Sequence, residues 1–161
     1  MYQGATQSQQ YAGRSDIEDW INIGYVAYDV DSKGCSDTLE YAMDDWAISG
    51  VATALGKASD AAMFFNRSKN YVNMWNTREK YMCPKTKAGK WECPRLKTDI
   101  WDPRYVEGDA NHWRWFVPHD PAGLVQVRRS LERCIITPSL TLIALWNAAL
   151  WHDRLLCAGA R

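Results

Sequence analysis

The sequence predicts a mainly α chain interrupted by one long irregular loop. Three observations carry that expectation. Residues 36–75 hold two successive apolar stripes at three- and four-residue steps, broken at Gly56. Residues 76–104 lose this period and carry Pro84, Gly89, Pro94 and Pro103. Residues 105–120 then gather acids, histidines, tryptophans and a tyrosine around Gly108 and Pro118, a mixture that a plain core helix or strand does not require.

Residues 1–15 are rich in Gln, Ser and Gly and read as a loop. Ser15 or Asp16 caps a short helix through Ile17, Trp20 and Ile21, which share one face, and Gly24 ends it. The next helix starts at Ser36 or Asp37, with Glu40 placed to complete a capping box from Asp37. Its expected buried stripe is Leu39, Met43, Trp46 or Ala47, Val51 and Leu55. Glu40 and Asp44 lie one turn apart and repel each other, which calls for compensation. A third helix runs from about Ser59 to about Asn73, burying Ala61, Phe64 or Phe65, Ser68, Tyr71 and Trp75, with Arg67 pairing with a carboxylate or holding a loop. Within the loop, residues 78–84 and 90–94 suit a short hairpin about Lys87, Ala88 and Gly89. Asp120 followed by Pro121 suits the start of another helix through Leu124.

The chain has 161 residues, room for one ordinary domain. Its 19 acidic and 19 basic residues balance, which leaves no overall pull toward nucleic acid or an anionic membrane. Nine tryptophans suit either a sugar-binding cleft or packing between helices. Five cysteines cannot all pair internally, and none shows metal-ligand spacing. Cys83 and Cys93 flank a short loop, either as a disulfide in an oxidising compartment or as two reduced thiols. The N-terminus has neither a basic nor an apolar leader region, so either the chain as written stays inside the cell or its true start lies upstream, and the localisation is left open. The apolar run at 140–151 is too short to span a bilayer, which takes about 20 residues.

In residues 105–120, carboxylates beside indole rings suit sugars, whose C–H faces stack on Trp while their hydroxyls bond to charged groups. A carboxylate against apolar rings also tends to hold its proton, as a general acid must. The plainer reading is a packed aromatic loop whose charges pair with each other.

Three blocks, in order, carry a resemblance. They are Ser36-Asp37-Thr38-Leu39-Glu40-Tyr41-Ala42-Met43-Asp44-Asp45-Trp46-Ala47-Ile48, then Arg67-Ser68-Lys69-Asn70-Tyr71, then Tyr105-Val106-Glu107-Gly108-Asp109 with Trp115-Phe116-Val117-Pro118-His119-Asp120. Residues 1–124 resemble part of the catalytic domain of glycoside hydrolase family 92, calcium-dependent inverting exo-α-mannosidases that are several times longer, often secreted, and built from a β-sandwich and an (α/α)6 helical barrel. The implied fold is a partial (α/α)6 barrel fragment with a long irregular loop. Residues 125–161 form a tail without resemblance.

By the resemblance Glu107 is the general acid, and Trp113, Trp115, His119 and Asp120 bind substrate. Calcium is implied, with no ligand set assigned. The implied partners are a mannose-containing glycan and the missing remainder of the enzyme, with no nucleic acid and no membrane. The family's base lies in a Gly-Asn-Asp-Asp motif that this sequence lacks, and Asn111 departs from an aromatic position. Three readings stand: a mannosidase segment bearing only the acid half of the machinery and inactive alone, a non-catalytic mannose-binding remnant, and an unrelated helical interaction protein.

Overall fold

The computed structural model describes residues 5–6, 13–14, 16–95 and 101–135, the last six by backbone alone. The elements are α1 (Ile17–Asn22), α2 (Gly34–Ala54), α3 (Ala58–Arg67), a 3-10 turn (Asn70–Met74), β1 (Trp75–Asn76), β2 (Tyr81–Met82), α4 (Ala110–Trp113) and α5 (Pro121–Ile135). The described chain is thus mainly helical with few strands. None of its helices is long and apolar enough to cross a membrane. Of the tail at 125–161, residues 125–135 continue α5, and residues 136–161, with the apolar run, lie outside the described residues.

The short helix α1 buries Ile17 and Trp20 and leaves Ile21 half exposed. Gly24 turns the chain away at φ +76°, a conformation that favours glycine. The chain then reaches α2, which begins at Gly34, two residues ahead of expectation. The Thr38 hydroxyl donates to the Gly34 carbonyl at 2.6 Å and accepts the Val26 amide at 2.9 Å, fastening this end to the preceding loop. A Cβ on Gly34 would collide with Val26. The expected capping box does not form, and no side chain caps α2. Ser36 instead accepts the amide of Val106, 70 residues on, at 3.0 Å.

The buried stripe of α2 is also rotated from the expected one. Leu39 is buried as expected, but its companions are Ala42, Asp45, Ser49 and Ala52, while Trp46, Val51 and Leu55 are exposed. Asp45 explains the difference. Fully buried, it takes the Arg14 guanidinium at 2.7 Å, the Trp20 indole N–H at 3.0 Å and the Arg67 guanidinium at 2.7 Å. Two cations and a donor partly offset the cost of burying that charge, which still raises the Asp45 pKa above its ordinary value, and they turn its face inward.

Gly56, at φ +68°, closes the turn into α3, which packs against α2. Phe64, Ser68, Tyr71 and Trp75 are buried as expected, whereas Phe65 is exposed. Arg67 pairs with Asp45 and also donates to the Ala5 carbonyl at 3.0 Å. The helix tightens into the 3-10 turn sooner than expected, where Ser68 returns its hydroxyl to the Phe65 carbonyl.

The long loop is pinned rather than loose. β1 and β2 pair antiparallel, Trp75 opposite Met82 and Asn76 opposite Tyr81. The expected hairpin about residues 87–89 appears as a bridge between Lys85 and Trp91, closed by a disulfide between Cys83 and Cys93. Its tip docks on the α1–α2 connection, where Tyr25 donates to the Thr86 carbonyl at 2.9 Å and the Lys87 amide to Asp29 at 2.8 Å. One core joins these parts, with Trp20, Leu39, Tyr71, Met74, Met82, Tyr105 and Val117 among its members.

Candidate active site

Glu107 stands on a turn whose neighbours are tied down on every side. Tyr105 is fully buried and donates its hydroxyl to the Met82 carbonyl at 2.8 Å. The Val106 amide bonds to Ser36, and its carbonyl accepts the Trp113 indole N–H at 2.8 Å. The Gly108 carbonyl accepts the Asp102 amide at 2.9 Å, and Asp102 is held by a two-pronged pairing with Arg104. Asp109 caps α4, accepting the amides of Asn111 and His112 at 2.8 and 2.9 Å, and meets the His112 ring at 2.7 Å. Burial would raise the Asp109 carboxyl, but these bonds outweigh it and hold the group below the ordinary aspartate range.

Glu107 itself is different. It is exposed, sits at φ +46°, and makes no hydrogen bond or ion pair with the described residues. The expectation that Trp113, Trp115 and Tyr105 would desolvate it is not met within this chain. The Tyr105 hydroxyl and Trp113 indole N–H are committed to backbone carbonyls of the loop, and Trp115 stacks elsewhere.

The four expected sugar contacts fall into separate settings. Trp113 is buried and packs on Phe116 with ring centroids 4.9 Å apart. Trp115 is 56% exposed, and the guanidiniums of Arg114 and Arg128 lie 5.0 and 4.2 Å from its ring centroid. His119 is half-buried, with Nε2 2.9 Å from the Ser68 carbonyl and its ring edge-on to Tyr71. Burial lowers the His119 pKa below its ordinary value, and because a carbonyl only accepts, Nε2–H donates to Ser68. Asp120 accepts Lys69 and the Tyr71 hydroxyl, each at 2.8 Å, and caps α5 through the Gly123 amide at 3.0 Å. Burial works against its charge, but Lys69, Tyr71 and the Gly123 amide outweigh it and lower the pKa. Gly123 permits this contact, since a Cβ there would strike both the Asp120 carboxylate and the Tyr71 hydroxyl.

Sequence reading did not foresee the cluster of Asp16, Asp31 and Asp37. One carboxylate oxygen from each lies within 4.8 Å of the others. Asp31 and Asp37 flank the start of α2, and folding brings Asp16 to them. The Asp37 carboxyl is pushed up to about 7, first by burial and then by Asp31, Asp16 and Glu40, with Lys33 opposing. Three carboxylates are hard oxygen donors, the class that calcium takes. Glu40 and Asp44, expected to need compensation, divide. Glu40 is half-buried and raised by burial and by Asp44, while the exposed Asp44 lies 3.7 Å from Arg14.

Over residues 1–134 the chain matches the glycosyl hydrolase family 92 catalytic domain. Among solved structures it is similar to the family GH92 inverting mannosidase from Bacteroides thetaiotaomicron, at 32% identity and a TM-score of 0.72. That likeness covers 78% of this chain and 17% of the other. It is likewise similar to a family GH92 α-mannosidase from the same organism, at 31% identity and a TM-score of 0.67, over 77% of this chain and 17% of that one. The same enzyme in complex with mannoimidazole gives 29% identity and a TM-score of 0.68, over 77% and 18%. The chain therefore spans less than a fifth of the length of these enzymes. No curated protein matches it.

Proposed function

The chain belongs to glycosyl hydrolase family 92, and from that premise we propose that it is the acid-bearing segment of an inverting α-mannosidase. Membership removes the reading as an unrelated helical interaction protein. The observation that carries the proposal is the contrast at Glu107, a carboxylate without a partner among the described residues, on a turn whose flanking residues are all fixed. A general acid needs a defined position and a carboxyl that is not spent on a neighbour.

On this reading Glu107 gives its proton to the leaving glycosidic oxygen. A separate carboxylate must activate water on the opposite face of the sugar, with the two acids roughly 6.5–9.5 Å apart. That second group is absent from this sequence and belongs to the remainder of the enzyme, as do the walls that would desolvate Glu107. The helical pair α2 and α3 is read as part of an (α/α)6 barrel, with the exposed Trp46, Val51 and Leu55 facing the rest of it. Trp115 offers its exposed part to the glycan. Trp113, His119 and Asp120 serve it indirectly, fixing the frame that carries Glu107 and Trp115. Calcium, on which the family depends, finds suitable donors here in Asp16, Asp31 and Asp37, and when bound it would neutralise clustered negative charge. The Cys83–Cys93 disulfide supports folding in an oxidising compartment.

The chain alone is expected not to hydrolyse mannosides. The test is release of mannose from an aryl α-mannoside and from α-1,2-linked mannobiose with calcium present. Turnover that vanishes in Glu107→Ala would overturn the expectation of inactivity. In an enzyme restored to full length, Glu107→Gln should cut activity mainly on poor leaving groups, and equal loss on activated aryl mannosides would remove the acid role. A second reading, a mannose-binding remnant, is favoured only by the exposed Trp115, and would show as a mannose-dependent change in tryptophan fluorescence without hydrolysis.

A further inference from the structure

Five arginines of the described chain are buried or half-buried, and they divide sharply. Arg14 and Arg67 hold Asp45, and Arg104 holds Asp102. Arg114 and Arg128 meet no carboxylate among the described residues. Both lie on aromatic rings instead. The Arg114 guanidinium carbon is 4.6 Å from the centroid of Tyr81 and 5.0 Å from that of Trp115. The Arg128 carbon is 4.2 Å from Trp115 and 6.0 Å from Trp75.

A second observation comes from hydrogen bonding. Arg114 Nε is buried without an acceptor, and so is the indole N–H of Trp75, a residue only 5% exposed. Guanidinium and indole groups donate and never accept. The cluster therefore gathers donors from β1, the segment after α4, and α5, and among the described residues Arg114 Nε and the Trp75 indole N–H find no acceptor. Buried donors are costly when left unmade, so a cluster of this kind is satisfied by an incoming acceptor. Rings under the guanidiniums fix their planes and partly strip their water, which prepares the forked N–H groups for two-pronged bonding.

We propose that Arg114 and Arg128, mounted on Trp115, form a binding site for an oxyanion, a carboxylate or phosphate group. The planar fork matches that geometry, and the part of Trp115 left exposed adds apolar surface beside the anion. The balanced net charge of the chain conceals this local excess. The proposal is independent of the α-mannosidase reading. Two sources share the chemistry, a charged group carried on a glycan and a carboxylate from the rest of the enzyme.

The test is titration of inorganic phosphate into the 161-residue chain, followed by tryptophan fluorescence and by calorimetry, with sodium chloride at matched ionic strength as control. Saturable binding is expected, weakened at least ~10-fold by Arg128→Gln or Arg114→Gln and less by Arg128→Lys, which keeps charge but loses the fork. A response that chloride reproduces, or that all three variants retain in full, overturns the proposal. Absence of saturation at high millimolar phosphate overturns it as well. Circular dichroism verifies that each variant is folded, and the chloride comparison on the unaltered chain stands without any variant. A hexose 6-phosphate binding more tightly than phosphate assigns the site to a charged glycan. Loss of phosphate binding in the restored full-length enzyme, regained on removing a carboxylate of its added part, assigns it to the enzyme itself.

Discussion

The indole N–H of Trp113 donates to the carbonyl of Val106 across 2.8 Å, so a buried ring beneath the turn fixes the residue next to Glu107. Trp113→Phe keeps the ring contact with Phe116 and removes the bond. It should cost about 1–2 kcal/mol, since the Val106 carbonyl loses its partner. Urea denaturation measures the cost, and an unchanged midpoint would show that the bond contributes nothing.

Asp45 and Asp44 are adjacent in sequence yet opposite in consequence. Asp45→Asn leaves Arg14 and Arg67 facing a neutral group in the interior, and should cost about 3–5 kcal/mol. Asp44→Asn removes an exposed charge 3.7 Å from Arg14 and should cost less than about 1 kcal/mol. Melting temperatures of the two variants rank them directly.

Asp37 sets a pH dependence with a definite sign. Its folded pKa is raised to about 7, so between the ordinary aspartate range and pH 7 the folded chain holds a proton that the unfolded chain releases. Stability therefore falls as pH rises through that window, and Asp37→Asn flattens the slope. Above the window, calcium should raise the melting temperature of the unaltered chain more than that of Asp37→Asn. Equal shifts would show that the Asp16–Asp31–Asp37 cluster takes no part in binding it.

The Cys83–Cys93 bridge closes a sequence separation of 10. Replacing both cysteines with serine should cost about 2–3 kcal/mol, mostly by freeing the unfolded chain. Reductant should lower the stability of the original chain to that of the double variant and leave the variant itself unmoved.

Much of this arrangement was legible in the sequence because it is local. The helix at Pro121 follows from Asp120 as its cap, and the turn between α2 and α3 follows from Gly56. The hairpin at Lys85 and Trp91 follows from the break in helical period and the Gly89 turn. The buried face of α2 was not legible, because an apolar period cannot register an aspartate drawn inward by arginines 31 and 22 residues away. The same holds for Ser36, read as a cap and spent on Val106, and for the Asp16–Asp31–Asp37 cluster, which exists only once Asp16 meets the start of α2. Glu107, Trp113, Trp115, His119 and Asp120 could all be picked out by type, but not the exposure that separates Glu107 and Trp115 from the other three.

Glu107 adopts the left-handed backbone region, at φ +46°, where a side chain with a Cβ costs roughly 1–2 kcal/mol. Glycine would relieve that strain, and nothing the glutamate touches in the described chain would be lost. Folding and chemistry thus vote differently at this position. A library screened only for solubility or heat resistance would drift to glycine at 107 and return a sturdier protein stripped of its candidate acid. The glutamate is a residue that selection for folding alone would not keep.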